Sequence, residues 1–253
     1  MMSIQKLFLA WQNPETRYWF PIGLLTFDGE YYGFSYTNGV EKARAESNFQ
    51  LLHSFPEVDK IYKSKTIFPL FANRLMPSSR PDYPHYINWL NISENEFNLM
   101  NILARSRGNK VTDTFEVFPY PEKNQEDNFA INFFIHGLRY MPQCSQDYIA
   151  NLKTDAPLFL IRDCQNQYDD NALLLRTENH LNLGYCPRYL TKDIINLLEI
   201  NSQSVQVVVE KINLSPAPIQ LRLLCSLTAP WYDHFSPFSD EIYQPITENS
   251  FLV

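Results

Sequence analysis

Glycine is scarce in this sequence, with seven in 253 residues. Neither G-x-G-x-x-G nor G-x-x-x-x-G-K-[ST] occurs, which excludes the glycine-rich loops that cradle phosphates at a helix N-terminus. Long apolar runs are missing as well. None approaches the roughly 18 residues a membrane helix requires, so no membrane partner is expected. The N-terminal stretch up to Trp11 is too short for a secretory core and no small-residue cleavage site follows it; the expected location is cytoplasmic. Cys144, Cys164, Cys186 and Cys225 lie far apart, with no C-x-x-C pair. That spacing suits free thiols better than zinc. Positive charge is in deficit, 21 Lys and Arg against 28 Asp and Glu for a net charge of -7. A broad grip on duplex nucleic acid needs a basic surface, although a local site does not. Catalytic patterns are also wanting. Asp169, Asp170, His136 and His180 show no paired-carboxylate or H-E-x-x-H spacing. The chain therefore reads as a binding protein rather than an enzyme, with no cofactor.

What is present is aromatic, apolar and rich in turn residues. Hydrophobic residues make up 45% of the chain, which is a globular content, and the 17 prolines suit short strands between Pro-set turns. At this length there is room for two modest domains or one large one. Leu7 to Trp11 reads as a strand before a turn at Asn13-Pro14. Ile22 to Phe27 and Tyr31 to Tyr36 flank Asp28-Gly29, a strong hairpin signal. Val40 to Glu46 has helical composition. In Ile67 to Pro77 a helix start is expected to pack under the sheet, with Asn73 and Arg74 facing out. Ser93 to Glu96 is a capping box expected to open an amphipathic helix through Phe97, Met100 and Leu103. Arg105 and Arg107 are placed at its end as solvated charges. The polar stretch Pro121 to Asp127 is the expected boundary.

Beyond it, Ile131 to Tyr140, Leu158 to Ile161, Ala172 to Leu175, Val205 to Ile212 and Ile219 to Leu227 have strand character. A helix is expected to open at Thr191 or Asp193 and to bury Ile194, Ile195, Leu197 and Leu198. Many short strands with one helix in about 100 residues imply a closed or half-open barrel. The overall class is α+β, mainly β. The segment Arg162 to Asn171 sits between two strands yet carries far more than a turn needs. Tyr168 supplies a flat ring, Asp169 a carboxylate, and Gln165 and Asn166 amides. Such a loop can stack on a planar group and hydrogen-bond its edge. After Pro230, the rings of Trp231, Tyr232, Phe235, Phe238, Tyr243 and Phe251 imply a tail that packs back on a domain or docks a partner.

Two resemblances follow. In the first half, the string Ile67-Phe68-Pro69-Leu70-Phe71-Ala72-Asn73-Arg74-Leu75-Met76-Pro77, after a hairpin-rich start, resembles the F-F-x-N-L-L-P segment of the small N-terminal subdomain of HipA-type toxin kinases. The kinase parts themselves have no counterpart. In the second half three ordered motifs, G-L-R-Y ending at Tyr140, R-D-x-x-N-x-Y-D-x-N-A from Arg162 to Ala172, and L-G-Y-x-P-R-Y-L from Leu183 to Leu190, resemble the HIRAN domain. Together these divide the chain into a HipA-N-like domain with helices over residues 1–124, a small OB- or SH3-like barrel with one or two helices over 129–229, and an aromatic tail over 230–253.

The HIRAN resemblance implies a module that grips the 3′-hydroxyl end of single-stranded DNA, in genome defence or repair. It implies that Tyr140 and Tyr168 stack on terminal bases and that Asp169 accepts from the terminal hydroxyl. Asn166, with Gln165, would meet the last phosphate, and Arg139 and Arg188 are the local cations. Structural alternatives stand beside these: a half-buried strand position for Tyr140, a turn-closing role for Asp169, a solvated charge pairing a neighbour for Arg188. Arg162-Asp163 reads as an internal ion pair or a backbone clamp, and the Asn171 amide as a tie between turn and backbone. Gln167 and Cys164 replace prolines common in the family, which implies a less rigid loop. The HipA-like half implies instead a regulatory contact with a partner chain, such as a HipA-type kinase.

Overall fold

The computed structural model describes residues 5–247. These residues form two compact units, each built from separate stretches of chain. The first comprises the residues up to Tyr83, then Ile92–Tyr120 and the residues from Phe238 on. The second comprises Pro84–Asn91 and Pro121–Pro237.

The first unit runs β1 (Gln5–Gln12), β2 (Trp19–Phe27), β3 (Tyr32–Tyr36), α1 (Gly39–Ser47), β4 (Tyr62–Ser64) and α2 (Pro69–Ala72). It resumes after α3 (Tyr83–Leu90), all but one residue of which lies in the second unit, with α4 (Leu99–Ser106) and β5 (Phe115–Pro119). The strands form an antiparallel sheet in the order β4-β3-β2-β1-β5. Asp28 closes the β2–β3 turn, its Oδ1 accepting from the N–H groups of Glu30 and Tyr31, while Gly29 takes φ 98°. Asn13 does the same before β2, accepting from Glu15 and Thr16. One sheet face packs Leu9, Ile22, Leu25, Phe34 and Tyr36 against Phe71, Met100 and Leu103. The other face holds Phe8, whose ring meets Phe118, Phe238 and Tyr243 at 5.1–5.4 Å between centroids.

Three expectations for this unit change. Arg74 does not face out. Its side chain is 1% exposed, donating Nη1 to the Gly108 carbonyl at 2.9 Å and forming a two-pronged pair with Asp113 at 3.1 and 2.7 Å. A guanidinium can be buried when carbonyl and carboxylate receive its fork. Ser93 opens only a short 3-10 turn over Glu94–Glu96, its hydroxyl donating to Glu96 Oε2. Helix α4 has its own cap, the Asn98 side chain accepting from Asn101 N–H at 2.8 Å, and Phe97 lies exposed between the two caps. Arg107 is no solvated charge. It ends α4 at φ 64° and reaches the buried Glu116 at 2.5 Å.

The second unit contains β6 (Asn128–Phe134), α5 (Gln143–Tyr148), β7 (Pro157–Arg162), β8 (Leu173–Arg176), β9 (Asn182–Tyr185), α6 (Arg188–Asn201), β10 (Gln206–Ile212) and β11 (Leu223–Pro230). The strands run β6-β11-β10-β7-β8-β9 in an antiparallel sheet. The sheet curls until its two ends meet. His136, just past β6, and Tyr185 of β9 exchange backbone hydrogen bonds, each 2.9 Å. The result is a half-barrel enclosing Phe129, Ile131, Leu173, Leu175, Leu183, Leu223 and Leu227, with Leu190, Ile194 and Leu197 of α6 also buried. Mainly β with a few helices is thus the observed class.

Helix α6 begins at Arg188, earlier than expected, because Pro187 at φ -55° sets the chain for helical entry. Thr191 and Asp193 are consequently buried inside the helix rather than capping it, and Ile195 and Leu198 are only half-buried. Strand β11 begins at Leu223. Pro218 diverts Ile219–Leu221 into a 3-10 turn that precedes it. The rings after Pro230 divide: Trp231 and Phe235 pack on Phe129 in the second unit, and Phe238 and Tyr243 complete the first. Phe251 lies outside the described residues. Among the described residues no helix is long and apolar enough to cross a membrane.

Candidate functional site

The β7–β8 connection is held by its own polar side chains. Asn166 Oδ1 accepts from the N–H groups of Tyr168 and Asp169, at 3.0 and 3.1 Å, and its Nδ2 donates to Asp163 Oδ2 at 3.3 Å. Asp163 also accepts from Gln165 N–H at 3.3 Å. Asp169 Oδ1 accepts from Asn171 N–H at 3.0 Å, and Ala172 N–H donates to the Asp169 carbonyl. The Asx-type bonds replace the conformational limits that proline would impose. The tie at Asn171 therefore runs opposite to the expected sense, with Asp169 accepting and the Asn171 backbone donating. Nor do Arg162 and Asp163 pair. Asp163 is a clamp for the loop backbone and for Tyr185.

Tyr168 stands out from this loop with 78% of its surface exposed. Asp169, next to it, is partly sheltered, its Oδ2 lying 3.6 Å from Nε of Arg188 at the start of α6. Gln165 is exposed. Arg139 and Tyr140 sit on a 3-10 turn over Leu138–Tyr140, directly after Gly137 at φ 73°. Tyr140 is 80% exposed, not a half-buried strand residue, and Arg139 lies near its ring at 5.9 Å.

Tyr185 links the turn and the loop, a role the sequence reading missed. Its backbone pairs with His136, and its hydroxyl donates to Asp163 Oδ2 at 2.8 Å. Its ring lies against Gly137, where a Cβ would come within 3.4 Å of ring carbon Cδ2. Burial, then the hydrogen bond to Asp163, pushes the Tyr185 phenol above its ordinary value. The same bond, helped by Asn166 and the Gln165 N–H, holds the Asp163 carboxyl below its ordinary range. The only sign of this in the sequence was the place of Tyr185 in the L-G-Y-x-P-R-Y-L motif. Its pairing partner is 49 positions away.

The arrangement presents two solvent-facing rings on supports tied together by Tyr185, with a carboxylate and a guanidinium beside one of them. It can stack planar groups, accept from a hydroxyl and offer a cation to an anion. The half-barrel thus carries its rings on one inter-strand loop and one post-strand turn. Residues 128–231 match the HIRAN domain model, and this part of the chain is a HIRAN domain.

Two solved structures are similar to the chain. One is a crystal structure of a Lactobacillus plantarum protein solved as a structural-genomics target. It is 24% identical and aligns over 40% of this chain and 98% of that one, with a TM-score of 0.30. The other is the crystal structure of the HIRAN domain of human HLTF. It is 18% identical and aligns over 42% of this chain and 81% of that one, also with a TM-score of 0.30. No curated protein matches the chain.

Proposed function

We propose that the HIRAN domain of this chain binds the 3′-hydroxyl end of single-stranded DNA, without catalysis. The observation that carries the reading is the pair of exposed rings, Tyr140 and Tyr168, on supports joined through Tyr185, with Asp169 beside Tyr168. Tyr140 and Tyr168 stack on terminal bases, and Asp169 accepts from the terminal hydroxyl. Arg188 and Arg139 face the backbone, with Gln165 and the spare Nδ2 hydrogen of Asn166 near the last phosphate. Two stacked bases contribute roughly 2–6 kcal/mol and a charge-assisted hydrogen bond roughly 1.5–3 kcal/mol. Their sum corresponds to affinities from about millimolar to slightly better than micromolar, those of a modest end-recogniser.

Fluorescence anisotropy on oligonucleotides matched except for a 3′-hydroxyl or a 3′-phosphate tests the reading. The hydroxyl end binds more tightly, because a terminal phosphate meets the Asp169 carboxylate. Equal binding of the two ends overturns it. Genome defence or repair in the cytoplasm is the setting we propose for such a module.

We also propose that the first unit is a HipA-N-like domain acting on a partner chain, such as a HipA-type kinase. Support comes from the sequence resemblance over Ile67 to Pro77. The family match begins only at residue 128. Pull-down with proteins encoded beside this one tests the idea; a chain that captures none of them counts against it.

A further inference from the structure

Strand β7 is paired on both sides only in part. Its first residues, Pro157 and Leu158, pair with Val208 and Val207 of β10. Its later residues, Phe159 to Arg162, pair with β8 on the other side. In an antiparallel ladder alternate residues direct their N–H and C=O to opposite neighbours. Asp163 N–H donates to the Ala172 carbonyl, and Val209 N–H donates to the Ala156 carbonyl. By that alternation Leu160 and Arg162 direct their backbone groups to the side where β10 has diverged. Among the described residues neither has a backbone partner there.

A groove of about 500 Å³ opens along this half-edge. Leu158 to Ile161 form one wall, and Leu198, Ser202 and Val205 the other. Phe159 in it is 48% exposed. Arg176, paired in register with Phe159, also lines the groove, whereas Arg162 ends the strand with its side chain on the opposite face by strand alternation. Among the described residues neither arginine has a carboxylate within 4.0 Å, Glu178 in the same groove included.

We propose that this half-edge takes up an extended peptide by strand addition, one with an apolar centre and an acidic side chain at each end, the two on opposite faces of the added strand. Unpaired backbone donors and acceptors select another backbone, the groove walls select apolar side chains, and the two arginines select acids. Nucleic acid fits less well, because a phosphate chain has no donors for the strand carbonyls and gains nothing from Leu158, Leu160 and Val205. The proposal does not depend on the 3′-end reading, since it uses none of the residues assigned there.

The test uses the full chain and a fluorescein-labelled acetyl-Glu-Val-Val-Glu-amide probe, whose two acids are three residues apart and so on opposite faces. Anisotropy is followed together with amide hydrogen exchange at Leu160 and Arg162. Saturable binding is expected, with protection of both amides. At least tenfold loss is expected for a probe N-methylated at alternate residues and for one with Lys at both ends. The R162E/R176E variant reverses the charge preference. The proposal is overturned by no saturation up to about 1 mM probe, or by equal binding of the N-methylated probe. Protection of the same amides by a single-stranded oligonucleotide also overturns it. The probe comparisons on the native chain decide the matter even if the double variant fails to fold.

Discussion

Tyr168 could be singled out from the sequence because a loop that only reverses the chain has no use for an exposed ring. Replacing it with Ala is expected to weaken oligonucleotide binding about 5- to 150-fold, the loss of one stacked base at roughly 1–3 kcal/mol, measured by anisotropy. The thermal midpoint is expected to stay put, since the ring is exposed. Asp169→Ala is expected to abolish the preference for a 3′-hydroxyl over a 3′-phosphate. Tyr185 was harder to see. It has the composition of an ordinary strand residue, and its partners Asp163 and His136 meet it only when the sheet curls. Arg74 was misjudged for the same reason, because nothing near it in sequence announces Asp113. Arg74→Ala leaves a buried carbonyl and a part-buried carboxylate without their donor, at a cost of about 3 kcal/mol. Denaturant unfolding measures it.

At the scale of elements, local turn chemistry was legible and strand ends were not. Asp28-Gly29 marked its hairpin, and the apolar runs flanking Arg162 to Asn171 became β7 and β8. The starts of α6 and β11 were missed because Pro187 and Pro218 act through backbone angles, which hydrophobic spacing does not report. The bridge between His136 and Tyr185 depends on Gly184, which holds φ 147° and would bring a Cβ to 2.5 Å from the His136 carbonyl oxygen. Gly184→Ala is therefore expected to open the half-barrel at that seam, lowering the midpoint of unfolding and deprotecting the His136 and Tyr185 amides in hydrogen exchange.

The loop also has a predictable acid limit. Asp163 has a folded value below its ordinary 3.8, so its contribution is complete above that pH and disappears as the pH falls through the lower folded value. Loss of protection at Gln165 is expected only below pH 3.8, with Asp163→Asn removing the transition; NMR titration would show it.

For the molecule as a whole, composition set the tone of the proposed interaction. The net charge is -7, and the local cations at the site are few. Binding is accordingly expected to fall only shallowly with salt, in contrast to the steep slope of proteins that neutralise many phosphates. A log–log plot of affinity against salt checks it. The aromatic tail was legible as something that packs back on a domain or docks a partner, but its destinations were not, because aromatic rings do not encode which surface they will cover. Phe238 is 3% exposed against Phe8, and Phe238→Ala is expected to cost about 3–5 kcal/mol.

Neither unit is an unbroken segment, since Pro84–Asn91 belongs with residues made later and Phe238 with residues made much earlier. On the ribosome the opening sheet must therefore wait, with Phe8 uncovered, while more than a hundred further residues are added. The nascent chain carries an apolar surface for most of its synthesis, and any chaperone that attends it would find its handle at β1.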